Sequence, residues 1–196
     1  MDWTGFAQQM GSLRSDGSEY CHSLLAYAAL EQLVGDEAID AAVEQAVDNA
    51  PGWLLATYVL VRLVSLRATE RAYAIYQEAI DTRAYWAIAL IVAIHHPRAF
   101  DWIPQLLSDP EITIAVQGMD LLDALLSSPE LVDVGLLDVE PILAQAERDP
   151  RPEIHKRVIS SRVLLQPEPA SQRDTVYLAE YLVARGDEDT LASNNE

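Results

Sequence analysis

The sequence predicts an all-α chain built as a right-handed α-solenoid of about five helix hairpins. Three observations carry that expectation. Apolar residues in this Ala- and Leu-rich chain recur at intervals of three and four, the spacing of one helix face. Ser, Asp, Gly and Pro punctuate the apolar segments at positions that start and stop helices. No segment alternates apolar and polar residues between turn signals, so no sheet is expected. Half of the 196 residues are hydrophobic, enough to build a core without metal or disulfide support.

In chain order, Ser18 is placed to cap a helix over Glu19 to Val34, which Gly35 stops. Asp36 opens the next, ending near Asn49 before Pro51-Gly52. Trp53 to Val64 follows, then Thr69 to Ile80. Asp81 precedes a helix from Thr82 to Ile94, halted near Pro97, and another covers Arg98 to Leu107. Asp109-Pro110 reads as an N-cap followed by proline at the first helical position, opening a helix to Leu126 that ends at Ser127-Ser128-Pro129. Residues 130–135 are looser and lead into Leu136 to Glu147. Asp149-Pro150-Arg151-Pro152 opens Pro152 to Leu165; Pro167 and Pro169 then break the chain before a last helix over Ser171 to Arg185. Residues 1–186 are therefore read as one helical-repeat domain, and 187–196 as a disordered acidic tail. First members of successive pairs begin near Glu19, Trp53, Thr82, Pro110 and Pro152, about 30 to 40 residues apart, the period of stacked hairpins.

Two of these starts resemble a known family. Asp109-Pro110-Glu111-Ile112, continuing through Ala115 and Gly118 to Leu121-Leu122, is similar to the opening of a HEAT repeat, an armadillo-type helical repeat. Asp149-Pro150-Arg151-Pro152-Glu153-Ile154, continuing to Val158, resembles a second copy. Asp81-Thr82-Arg83-Ala84 resembles a more degenerate third that lacks the proline. The resemblance covers about residues 81 to 165, and the earlier hairpins match in length and pattern alone. It implies stacked hairpins and, usually, protein–protein interaction; DNA-repair glycosylases and bilin lyases are rarer members. It carries over no functional residue, because repeat architecture specifies function weakly. It also implies that Arg157 serves a ladder between repeats.

Charge narrows the partner. The formal net charge is -18, from 31 acidic and 13 basic side chains, and Lys156 is the single lysine. Residues 1–98 carry -6 and residues 99–196 carry -12. Such a surface repels phosphates and anionic lipid, so neither nucleic acid nor membrane is expected as a partner; it either attracts a basic protein or simply keeps the chain soluble, and charge alone does not choose between the two. Cys21 is the only cysteine, which excludes an intramolecular disulfide and a thiolate metal cluster. Met1-Asp2-Trp3 begins without a basic region ahead of an apolar stretch, so no signal peptide is expected. The longest apolar run, Ala84 to Ile94, is shorter than the roughly 18 residues of a membrane span. A cytoplasmic location is expected.

The sharpest surface feature is the helix opened by Asp36. Asp36, Asp40, Glu44 and Asp48 recur every four residues, with Glu37 beside them and Ala42, Val43, Ala46 and Val47 opposite. Like charges at that spacing oppose the helix by a few tenths of a kcal/mol each, and no basic residue of the same helix offsets them. The row reads either as a docking ridge for a basic partner or as a solvated face of an acidic protein, with Asp36 and Glu37 favoured by the helix dipole. Trp102, beside Asp101 on a short helix, is the preferred aromatic contact. Trp53, Tyr58, Tyr85 and Trp86 lie in strongly apolar helices and are expected in the core, and Trp3 is expected to cover the first hairpin.

Catalytic signals are thin. Glu19-Tyr20-Cys21-His22 has the Glu-x-x-His spacing of a di-iron bundle but lacks the second such pair. Cys21 and His22 are adjacent and point apart on a helix, so they cannot form a nucleophile–base pair. His95-His96, at a helix end, is expected to cap it as imidazolium. Asp120 and Asp123 read as surface charge. There is no phosphate loop, zinc motif or nucleophile elbow. The basic group Arg148, Arg151, Lys156, Arg157 and Arg162 is too small for a nucleic-acid groove.

The expectation is a non-catalytic module, not an enzyme, with no cofactor and no metal. It docks a basic protein through Asp36, Glu37, Asp40, Glu44, Asp48, Asp101 and Trp102, most concretely as an immunity protein or antitoxin covering a basic toxin. A helical-repeat enzyme or accessory (glycosylase-like or bilin lyase-like) would instead show turnover, a bound chromophore or salt-sensitive DNA binding. A structural adaptor would bind two partners without inhibiting either.

Overall fold

A computed structural model describes residues 1–20, 28–31, 33, 35–79, 82–128 and 137–165. The expected helix over Ser171 to Arg185 and the tail 187–196 lie outside the described residues. So does most of the expected Glu19 to Val34 helix, with Cys21 and His22. The chain divides into two compact units, Met1–Ala99 and Phe100–Glu196.

In the first unit, Asp2 caps α1 (Trp3–Gln9) by accepting a hydrogen bond from the Gly5 amide at 3.0 Å. Trp3, Phe6 and Ala7 face inward. The expected helix start at Glu19 is not observed. Asp16 accepts from both the amide and the hydroxyl of Ser18, Gly17 takes a left-handed φ of 81°, and Leu13 and Glu19 form an isolated antiparallel bridge. Asp16 wins the Ser18 groups for a tight turn, the conformation with which Asp and Ser side chains compete against helix. The bridge carries Glu19 across to Gly52 and Leu54, whose amides donate to its carboxylate. These are orphan donors at the start of α3 (Trp53–Leu63), where Gly52 has no side chain to cap with. Gly52 also has φ 97°, and a Cβ there would lie 2.8 Å from Trp3 Cβ. That close approach seats α1 against α3.

Helix α2 (Asp36–Val47) packs on α3, on α4 (Leu66–Glu78) and on α5 (Thr82–Ile94). Ala42, Val43, Ala46 and Val47 of α2 meet a core that includes Leu55, Val59, Leu60, Ala72, Ile88, Ile91 and Ile94, all nearly or fully buried. Burying each large aliphatic side chain contributes about 1.5–3 kcal/mol. The turn from α3 to α4 needs no glycine, because Val64 itself adopts the left-handed region at φ 44°. Helix α4 therefore starts at Leu66, a few residues before the expected Thr69, and Ser65 caps it through a hydrogen bond from the Ala68 amide.

A 3₁₀ turn over Pro97–Trp102 follows α5 in place of the expected regular helix from Arg98, and α6 (Ile103–Leu107) is one turn long. In the second unit α6 pairs with α7 (Ile112–Leu126), and α8 (Glu140–Glu147) with α9 (Pro152–Leu164). The two hairpins lie side by side: α6 touches α8 and α7 touches α9. The two Asp-Pro segments fold alike. Asp109 accepts from the Glu111 amide at 2.8 Å, and Asp149 accepts from the Arg151 amide at 2.9 Å. Each aspartate thus closes a turn ahead of the helix; the N-cap of α7 is Glu111, two places later than the expected Asp109, whereas α9 starts at Pro152 as expected, with Arg151 at its N-cap. Ile114 and Ile154, three residues beyond those caps, are both buried.

Cross-ties join the two hairpins. Gln145 donates to the Pro104 carbonyl and to the Ser108 hydroxyl. Arg151 donates to the carbonyls of Asp109 at 2.7 Å and Leu107 at 2.6 Å, while Asp149 holds its guanidinium from the other side. A planar fork with several donors suits that position, capping the exposed carbonyl end of α6. Among the described residues the elements are helical, apart from the one bridge.

Candidate docking surface

The acidic row of α2 is real, but its charge is met inside the molecule. Asp40 takes two hydrogen bonds from Arg67, one of them at 2.8 Å from Nε. Glu44 receives Arg71 on one oxygen and Arg83 on the other. Asp48 accepts from Arg83 Nε at 2.7 Å. Three carboxylates on α2 therefore face three guanidinium groups, two from α4 and one from α5. Hydrogen bonds from Arg67 hold the Asp40 carboxyl below its ordinary range. The like-charge repulsion expected within α2 is offset by neighbouring helices, a contribution that reasoning on α2 alone misses. A signal was present: Arg67 and Arg71 are themselves four apart, the mirror of Asp40 and Glu44.

The remaining predicted positions divide. Asp36 and Glu37 are exposed in the first turn of α2, where the helix dipole stabilises negative charge. Asp101 and Trp102 belong to the second unit; Asp101 is exposed, and Trp102 is half-buried at the N-cap of α6.

The aromatic expectations need correction. Tyr58 and Tyr85 are each 40% exposed, and Trp53 and Trp86 are half-buried rather than part of the core. Trp3 is buried as expected. Helices α3 and α5 are apolar on nearly every face, so hydrophobicity does not specify which side packs. Leu55, Ala56, Val59, Ala87, Ile88 and Ile91 take the interior, and the wide rings fall outside. There they form a cluster: Trp53 and Trp86 lie 6.0 Å apart between ring centroids at a 49° tilt, and Tyr85 meets Trp86 edge-on at 5.3 Å and 80°. Such geometries suit aromatic quadrupoles and fix the rings in place.

Other polar expectations change as well. Asp123 is not surface charge. It is half-buried between α7 and α9 and accepts the Ser161 hydroxyl at 2.5 Å; burial pushes its carboxyl up, against the pull of that bond. Arg157 of α9 pairs with Asp120 of α7 at 3.3 Å, across the two hairpins. Arg162 is shared by Glu140 and Glu147. At the end of α5, burial pushes the His96 imidazole below its ordinary value, and its Nδ1 accepts from the Arg98 amide, so the neutral ring fits there rather than imidazolium. Next to it, His95 takes a left-handed φ of 38°.

Among the described residues no group of three or more His, Cys, Asp and Glu side chains could hold a metal ion, and no helix is long and apolar enough to cross a membrane. Comparison of the chain with known protein families, with curated proteins and with solved structures gives no match.

Proposed function

We propose that this chain is a non-catalytic binding module, a HEAT-like helical-repeat scaffold whose acidic surface docks a basic protein. The observation that carries the reading is the surplus of carboxylates. With 31 acidic and 13 basic side chains, one cation apiece leaves 18 carboxylates unmatched. The described arginines are largely committed as ties between helices, as at Arg67, Arg71, Arg83, Arg151, Arg157 and Arg162. The surplus is available to steer and hold a cationic surface, with aromatic side chains supplying affinity at close range. In its most concrete form the module is an immunity protein or antitoxin that covers the basic active surface of a toxin. Asp36 and Glu37, exposed at the start of α2, are the carboxylates of the row best placed to meet it.

Affinity capture from the source cells tests this, in low and in high salt. The expected result is a basic protein that co-elutes, is released by salt, and is retained less by the Asp36→Lys/Glu37→Lys variant. Recovery of no basic protein, or capture indifferent to salt, would refute it.

A further inference from the structure

We infer that the cluster of Trp53, Tyr85 and Trp86 on α3 and α5 is the docking face for an arginine-bearing segment of a basic protein. The inference rests on the proposed binding of a basic partner and names where on the first unit that partner anchors. Large aromatic side chains held at a surface are the commonest energetic anchors of protein interfaces. Here mutual ring contacts at 6.0 Å and 5.3 Å already restrict the rings, so ordering them on binding loses little entropy.

Charge decides the occupant. A second copy of this chain brings another net charge of -18 and is repelled, as are phosphate-bearing ligands. A cationic side chain is attracted by the ring faces and by the net negative charge of the chain. Asp48 and Glu44 bind Arg83, which lies on α5 one turn before Trp86, and Glu19 holds the amides on either side of Trp53. The Asp48 side chain is 48% exposed, and a carboxylate that accepts from Arg83 retains lone pairs for a second guanidinium. Arginine fits better than lysine, because its planar group stacks on an indole while its edges donate to carboxylates.

The test titrates the full chain with nona-arginine and nona-lysine peptides, followed by tryptophan fluorescence and by calorimetry. The comparison set is wild type, Tyr85→Ser, Trp86→Leu and, as a control in the second unit, Glu153→Gln, an exposed carboxylate of α9. Tyr85 is exposed, so its substitution preserves the fold; circular dichroism checks Trp86→Leu. Nona-arginine is expected to bind the wild type more tightly than nona-lysine and to change tryptophan emission. Tyr85→Ser is expected to weaken the arginine peptide by about fivefold, with Glu153→Gln unchanged. Tight arginine binding that folded Tyr85→Ser and Trp86→Leu leave intact would overturn the assignment of this face while sparing the basic-partner reading. Failure of either peptide to bind in low salt would overturn both.

Discussion

Replacing Glu44 by Gln tests whether the acidic row of α2 is a bare ridge or one half of an ion-pair ladder, because the two give opposite signs. In a bare ridge, neutralising the central carboxylate relieves its repulsion with Asp40 and Asp48 and stabilises the protein by about 0.4–1 kcal/mol. In the ladder, the same change removes the charge that binds both Arg71 and Arg83. These side chains are between 32% and 41% exposed, so each pair is discounted for solvent and is worth about 0.2–1 kcal/mol. Losing two such pairs, less the repulsion relieved, gives a net loss of about 0.5 kcal/mol and a Tm lower by about 1–2 °C. Thermal melts and urea titrations of Glu44→Gln, Arg71→Gln and the double variant form a cycle, with an expected favourable coupling of about 0.5–1 kcal/mol that shrinks in molar salt. A Glu44→Gln protein more stable than wild type, or a coupling of zero, would refute the ladder.

Three other outcomes follow from the same geometry. Arg151→Ala should cost about 2 kcal/mol or more in urea unfolding, because it strips donors from the Leu107 and Asp109 carbonyls, and Arg151→Lys should recover little of it, lacking the fork; full recovery by lysine would contradict the role given to the guanidinium. Gly52→Ala forces a side chain into a left-handed backbone and against Trp3, costing about 1–2 kcal/mol for the first and about 1–3 for the second, and Trp3 emission should shift to the red. Asp123 holds its proton more tightly folded than unfolded, so its contribution falls as pH rises above the ordinary 3.8 toward its raised folded value. Asp123→Asn, which still accepts from Ser161, should therefore gain stability relative to wild type at pH 7 and not at pH 3; an equal difference at both would count against burial as the cause.

The helices are legible because their apolar spacing and breakers are strong, and the two Asp-Pro turns match each other in sequence alone. Their geometry is less so. A cap position depends on which amide the aspartate takes: Asp109 takes the amide two residues on, which moves the cap of α7 to Glu111, while the start of α9 at Pro152 is legible from Pro152 itself. Glu19 was misplaced in a helix because its partners, Gly52 and Leu54, are more than thirty residues away. Asp123 was read as exposed because helix periodicity gives a face but not the neighbour that covers it. The same blindness hid the ring cluster: α3 and α5 carry apolar residues all round, so pattern could not say that Tyr58 and Tyr85 would lie outside. Long-range pairing, rather than local propensity, separated the acidic row that was read from the ladder that forms.

Hydrogen exchange of the chain alone and in complex with the basic protein it captures addresses the binding account most directly. Added protection in the first turns of α3 and α5, around residues 53–58 and 82–89, is the predicted result. A complex that protects neither segment, with its footprint confined to residues 100–165, would contradict it.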